Sequence, residues 1–328
     1  MNTKQQFEKL FNNKLSTDDS RQFLVDLYEK GETGADIAAA ASVMREHSIK
    51  LNLSDELRDK AIDIVGTGGD KSGSFNISTT VSLLLASMGR VVAKHGNRSI
   101  TSNSGSTDVL EALGLNLDLS IENKIKMLKE TGFCFFPATY HHPAMKDIMP
   151  IRKSIDHRTI FNLLGPLTNP AGAKKYLLGV FDPSYVKVMA EALLELDTKR
   201  AYVVSSLDGM DEIGISTNTA FAYVEHGRIS EGEINPEVFG FKLASKEAIF
   251  GGDAKFNAQI TRDIFSGEES GAKRDIVVLN AAFALFVDGE VRDLREAIDM
   301  VEAQLDNGKT REHLNLMAEI SNKLGQGR

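Results

Sequence analysis

One cysteine in 328 residues excludes an internal disulfide framework. Cys134 lies in the apolar run Gly132-Phe133-Cys134-Phe135-Phe136, which suits a buried structural thiol better than a nucleophile. Such cysteine usage fits a reducing, cytoplasmic setting. Positive charge is also scarce: 38 Lys plus Arg face 46 Asp plus Glu, a net charge of −8. No long basic run is set apart from the rest, so the electrostatic footprint of a duplex nucleic-acid binder is missing. No stretch of about 18 apolar residues occurs, so no membrane span is expected. Residues 1–15 alternate Lys, Gln and Asn with apolar residues and lack the apolar core of a signal peptide. Internal repeats and low-complexity segments are absent, as are a Walker loop and the GxGxxG dinucleotide fingerprint.

What is present is the composition of a soluble globular chain, 42% hydrophobic and 26% charged, long enough for one large domain or two ordinary ones. Residues 1–60 read as helices. Phe7, Leu10 and Phe11 recur at helical spacing, as do Phe23, Leu24, Leu27 and Tyr28, with Gly31 as a stop and Thr33 as the cap of a third helix. The pattern changes at Ala61. The β-rich run Ala61-Ile62-Asp63-Ile64-Val65 ends in glycines. A helix follows with Ser78 as its expected cap, Gly89 ends it, and Val91-Val92-Ala93 reads as a second strand. Strand, loop, helix, strand is the unit of a parallel sheet. Further strands are expected at Phe133 to Phe136, Tyr176 to Val180 and Ala201 to Ser205, with helices again from Ile276 onward. Ligands of such sheets bind outside the carboxyl ends of the strands.

Four segments carry chemistry. Gly66 to Ser74 packs four glycines and two serines into nine residues after a strand. Glycine allows positive φ and close backbone approach, so successive N–H groups can face anionic oxygens, helped by the next helix N-terminus. A tight turn with an ordinary cap remains the plain alternative. Lys94-His95-Gly96-Asn97-Arg98 and the polar run Ser99 to Ser106 are expected as a second loop, with charge and hydroxyl donors for another phosphate; a flexible polar loop is the alternative. Asp211-Glu212, after Leu207-Asp208-Gly209-Met210, suits a hard cation such as Mg²⁺ or merely decorates a surface. His142 before Pro143, Arg152, and Arg158 through Pro170 complete the set. There His142 can be structural and Arg152 can sit in a surface ion pair.

The segments GTGGD (66–70), KHGNR (94–98), HHPAMK (141–146), RTIFNLLGPLTNP (158–170) and DGMDE (208–212), in this order and spacing, closely resemble anthranilate phosphoribosyltransferases. The first two alone are weak, because related nucleoside phosphorylases carry similar loops; RTIFNLLGPLTNP with KHGNR is specific. The resemblance runs over essentially the whole chain. It implies an α/β fold: a small helical domain, residues 1–60 joined by a segment near 150–170, and a larger α/β domain, 61–328, with a mainly parallel central sheet. It implies a cytoplasmic homodimer formed through the helical part. The implied reaction transfers the phosphoribosyl group of 5-phosphoribosyl 1-diphosphate (PRPP) to the amine of anthranilate, with Mg²⁺, two ions per subunit.

The resemblance assigns PRPP contacts to Gly66, Gly69, Asp70, Ser74, Asn76, Ile77, Ser78, Thr79, Lys94, His95, Gly96, Asn97, Arg98, Ser99, Ile100, Thr101, Ser102 and Ser106. It assigns the anthranilate site to Gly66, Asn97, His142, Arg152, Gly165 and Pro166, and the metal to Ser78, Asp211 and Glu212. No acid–base dyad is expected, since an aryl amine is already neutral at pH 7. The one departure is Asp156-His157, where the family often has glycine; it is expected to alter a helix end. A pyrimidine nucleoside phosphorylase and a non-catalytic nucleic-acid-binding relative are the alternatives; Asp211-Glu212 and the Leu164 to Pro170 segment disfavour the former, the net charge the latter.

Overall fold

A computed structural model describes residues 2–70, 72–98 and 104–326. The chain opens with helices Thr3–Phe11, Thr17–Lys30, Gly34–Glu46 and Asp55–Lys60. The caps are those the sequence announces. Gly31 ends the second helix at φ +81°, and Thr33 forms a capping box with Asp36. Thr33 Oγ1 accepts from the Asp36 N–H at 3.2 Å, while the Asp36 carboxylate accepts from the Thr33 N–H. The alanine-rich third helix is buried along most of its length, because it packs against both the first helix and Ser184–Glu195. Its first residue, Gly34, lies so close to Glu191 that a β-carbon there would collide with it.

Seven strands follow: β1 Ala61–Gly66, β2 Val91–Gly96, β3 Phe133–Pro137, β4 Lys175–Gly179, β5 Arg200–Ser206, β6 Thr219–Glu225 and β7 Arg228–Ile234. They form one sheet in the order β3-β2-β1-β4-β5-β6-β7. The first five are parallel and the last two antiparallel. Helices Ile77–Ser87 and Ala272–Asp288 pack on each other and on the parallel strands. The near-continuous burial of β1, β3 and β4 is what a parallel sheet under helices demands.

Three expectations need correction. Ser78 is not the cap of its helix: Asn76 holds that position and Ile77 opens the helix. Lys94, His95 and Gly96 do not follow the second strand but form its last stretch of backbone, with Lys94 and His95 buried in the core. The hairpin β6–β7 was not expected at all. Its signal is the alternation Thr219 to Val224 before the two-residue turn His226-Gly227, both at positive φ (51° and 72°), the backbone a tight hairpin needs. The closing run of helices begins at Ala254, with Ala254–Ser266 ahead of Ala272–Asp288, earlier than the expected Ile276. Cys134 is buried, and burial pushes its thiol up to about 12. No helix among the described residues is long and apolar enough to cross a membrane.

Candidate functional site

The carboxyl ends of β1, β2 and β5 converge on one cleft of about 760 Å³, lined by the glycine loop, the end of β2, the start of the helix at Ser106, and Asp211-Glu212. Beneath the cleft, β1 and β2 pair by backbone only at their first two positions, Ala61↔Val91 and Ile62↔Val92. Beyond them, side chains replace the backbone ladder. The His95 N–H donates to Asp63 Oδ1 at 3.1 Å, and Asn169 Nδ2 donates both to Asp63 Oδ2 and to the Ala93 carbonyl, each at 2.7 Å. Lys94 crosses the same gap to donate to the Ile64 carbonyl at 2.6 Å and to Ser78 Oγ at 3.3 Å. Burial raises the Asp63 carboxyl to about 7, partly offset by Lys94 and by the Asn169 amide. Burial likewise lowers Lys94 to about 8, while the neighbouring carboxylates Asp63, Glu212 and Asp211 hold it up.

β1 and β4, by contrast, stay paired to Gly66↔Gly179. Both glycines are there to admit Asp211: a β-carbon on Gly66 would strike its carboxylate, and one on Gly179 its backbone carbonyl. Asp211 in turn accepts the Gly68 N–H at 2.7 Å and so fixes the entry to the glycine loop. Gly68, Gly69 and Gly73 take positive φ of 64°, 73° and 71°, a backbone that side chains resist. The far wall was not anticipated. Ser74 bridges to Phe250, the Gly251 N–H donates to the Gly73 carbonyl at 2.9 Å, and Asn257 ties Gly252 to Asn76. The pair Gly251-Gly252 ahead of a helix was the sequence signal for it.

Asp70, Asp211 and Glu212 bring carboxylate oxygens within 4.8 Å of one another. Burial raises Asp211 to about 6, with Asp70 adding repulsion, and raises Glu212 well above its ordinary value, with Asp211 and Asp70 adding to it. Asp70 Oδ2 and Glu212 Oε2 are buried without a hydrogen-bond partner among the described residues. Hard oxygen donors, crowded and under-satisfied, fit a divalent cation. Asp70 thus joins the pair read from the sequence, and Ser78 Oγ lies beside them through Lys94.

The expected PRPP residues Gly66, Gly69, Asp70, Ser74, Asn76, Ser78, Lys94, His95, Gly96, Asn97, Arg98 and Ser106 all line the cleft. Ile77 and Thr79 are buried in the helix behind it. Arg98 is exposed and paired with Asp108 and Glu111. Ser99, Ile100, Thr101 and Ser102 lie outside the described residues. Of the expected anthranilate set, Gly66 and Asn97 line the cleft, His142 and the Gly165-Pro166 turn lie behind His95, and Arg152 lies beside Phe161 and Met149, outside the cleft lining. The His95 ring meets the His142 ring at 5.3 Å and its Nδ1 meets the Gly165 carbonyl at 3.0 Å. Burial lowers His95 to about 3 and His142 to about 4, so both rings are neutral at pH 7. Pro166 is buried in the short turn Gly165–Leu167. Arg152 is half-buried with its guanidinium 5.4 Å from the Phe161 ring, and no carboxylate pairs with it among the described residues. The helix bearing it ends at Lys153, ahead of Asp156-His157.

A parallel sheet with a positive-φ glycine loop and a carboxylate cluster at its strand ends is a site suited to an anionic ligand bridged by a divalent cation, a class of site found in enzymes that act on phosphorylated substrates. The family model described as "Glycosyl transferase family, a/b domain" matches residues 58–311. An anthranilate phosphoribosyltransferase from Rubrobacter xylanophilus is 43% identical over 305 residues, 93% of this chain and 88% of that protein. The crystal structure of anthranilate phosphoribosyltransferase from Thermus thermophilus superposes with a TM-score of 0.90 at 38% identity, covering 98% and 94% of the two chains. The Saccharomyces cerevisiae enzyme in complex with PRPP and Mg gives a TM-score of 0.85 at 25% identity, covering 94% and 86%. The chain belongs to the anthranilate phosphoribosyltransferase family, within the glycosyl transferases of that α/β domain.

Proposed function

We propose that the chain transfers the phosphoribosyl group of PRPP to the amine of anthranilate, releasing diphosphate, in tryptophan biosynthesis. The observation that carries this assignment is the single cleft in which a glycine loop with positive φ faces the crowded carboxylates Asp70, Asp211 and Glu212. An anionic ligand beside three acids needs a cation between them. Asp211, Glu212 and Ser78, with Asp70 adjoining, would hold Mg²⁺, which when bound would supply that charge and offset the charge developing on the diphosphate leaving group.

The chain's own groups do the rest. N–H groups of the glycine loop, the hydroxyls of Ser74 and Ser106, the amide of Asn76 and the ammonium of Lys94 hold the phosphates, with Gly66, Gly69, Gly96 and Arg98 shaping the cleft. Ile77 and Thr79 set the helix behind it. Arg152 offers a guanidinium with which no carboxylate pairs among the described residues, which suits the anthranilate carboxylate. Asn97, His142, Gly165 and Pro166 border the ring. Neutral His142 and His95 serve as walls and hydrogen-bonding partners rather than as acids. The nucleophile needs no base, because an aryl amine carries a free lone pair at pH 7. Positioning therefore supplies much of the rate.

To the same assignment belong two Mg²⁺ ions per subunit, a homodimer formed through residues 1–60, a cytoplasmic location, and a helical domain of residues 1–60 plus a segment near 150–170 against the α/β remainder. The test is loss of anthranilate fluorescence on addition of PRPP, with and without Mg²⁺, beside phosphorolysis of thymidine or uridine. We expect Mg²⁺-dependent loss and no phosphorolysis; phosphorolysis without fluorescence loss overturns the assignment.

A further inference from the structure

Arg158 belongs to none of the sites assigned above, yet it grips the glycine loop. Its Nη2 donates to the Gly69 carbonyl at 2.7 Å, across 89 positions of sequence. Its guanidinium lies 3.5 Å from the centre of the Phe181 ring, at cation–π distance. The Phe181 N–H in turn donates to Thr67 Oγ1 at 3.1 Å, so the arginine's platform is itself tied to the loop. No carboxylate lies within ion-pair distance of Arg158 among the described residues. A guanidinium spent on a backbone carbonyl, not on an acid, fixes a peptide plane. The Gly69 carbonyl and the Asp70 N–H belong to one trans peptide, so holding the first sets the direction of the second. On the preceding side, Asp211 holds the Gly68 N–H. The two left-handed glycines are thus clamped from both ends.

The clamp also reaches the N-terminal helices. His157, the neighbour of Arg158, stacks on Tyr28 of helix Thr17–Lys30 with ring centres 4.0 Å apart, and its Nδ1 lies 2.7 Å from the Arg158 carbonyl. From this geometry we infer that Arg158 is a positioning residue for the diphosphate loop and that the Tyr28–His157 stack couples the seating of the N-terminal helices to that loop. This rests on the glycine loop holding PRPP. Free glycine-rich loops lose backbone freedom on binding, and a clamp removes part of that cost beforehand.

The experiment compares wild type, Arg158→Ala, Arg158→Lys, Tyr28→Ala and the double variant Tyr28→Ala with Arg158→Ala, each checked by thermal unfolding. Titration of PRPP with Mg²⁺ into wild type comes first; absence of binding there defeats the PRPP assignment itself, separately from the role of Arg158. In Arg158→Ala we expect the KM for PRPP to rise about tenfold, the scale of one lost charged hydrogen bond, with kcat and the KM for anthranilate within about twofold. Arg158→Lys, which keeps a donor, should recover most of the loss. Tyr28→Ala should raise the same KM, and the double variant should be no worse than Arg158→Ala alone. An unchanged KM for PRPP in Arg158→Ala, or equal rises for both substrates, overturns the positioning role. Should Arg158→Ala fail to fold, Arg158→Met, which keeps an unbranched stem over Phe181 but has no donor for the Gly69 carbonyl, takes its place, and an unchanged KM for PRPP there overturns the positioning role. An unchanged KM in Tyr28→Ala overturns the coupling.

Discussion

Arg152 shows how a single side chain can be read twice. From the sequence it could be a surface ion pair, worth about 0–1 kcal/mol, or the grip on a substrate carboxylate. The fold places it half-buried beside Phe161 and Met149, with burial lowering its pKa and no acid paired to it among the described residues. A cation held out of water without a partner is expensive, and a bound carboxylate relieves it. Arg152→Ala should therefore lower catalytic efficiency toward anthranilate by roughly one to two orders of magnitude while leaving PRPP binding intact. Aniline, which lacks the carboxylate, provides the control. If both amines lose the same factor, Arg152 does not read the carboxylate. The glycines at 66 and 179 make a related point. Glycine-rich turns advertise positive φ, but these two are required by the approach of Asp211, which no local pattern reveals.

At the scale of elements, the decisive feature is the parting of β1 from β2. Asp63 sits in an ordinary β-rich run, and Asn169 in a turn-like Asn-Pro step; neither was singled out as a site residue. Together they take over the hydrogen bonds that the strands give up. Asn169→Ala strands the Asp63 carboxylate and the Ala93 carbonyl in the core at once. It should cost about 2–4 kcal/mol in denaturant unfolding, since each abandoned buried group carries a penalty of about 1–3 kcal/mol. Combined with Asp63→Ala, its effect should be far from additive. A loss below about 1 kcal/mol would mean that the strands diverge for another reason. The caps at Gly31 and Thr33 and the apolar strand runs were legible because they depend on neighbours along the chain, whereas the start of the helix after the glycine loop, at Asn76 and not Ser78, was not. The β6–β7 hairpin is of the same local kind, written in its alternation and its two-residue turn His226-Gly227.

For the whole molecule, the acid cluster sets function against stability. Asp211 and Glu212 hold their protons above the ordinary values of 3.8 and 4.5, to about 6 for Asp211 and higher for Glu212. Across that window these two acids bind more protons in the folded chain than in the unfolded one. The contribution of these two acids to the stability of the metal-free protein therefore falls as pH rises from about 4 through 6 and beyond, while the buried neutral His95, His141 and His142 contribute in the opposite direction up to about 6.5. The double variant Asp211→Asn with Glu212→Gln should be more stable than wild type at pH 7 without metal, by at least about 1 kcal/mol. Added Mg²⁺ should stabilise wild type and leave the variant unmoved, and the variant should lose most Mg²⁺-dependent turnover. Thermal scans at pH 5 and pH 7 with and without Mg²⁺, beside the fluorescence assay for turnover, check all three; a wild type already more stable than the variant at pH 7 without metal would contradict the repulsion.

The sequence by itself determined the helical start, the alternation that builds a parallel sheet, the buried cysteine, and the motifs that place the chain in its family. These follow from periodicity, capping and residue chemistry, all of which act over a few positions. Only the tertiary structure decided that Lys94 and His95 are core residues of a strand, that Asp70 joins Asp211 and Glu212, that Gly251, Gly252 and Asn257 wall the cleft, and that Arg158 reaches Gly69. Each of these joins groups dozens to hundreds of positions apart. Such pairings are set by which strands adjoin and where they separate, and a one-dimensional pattern of apolar and polar residues does not contain that geometry.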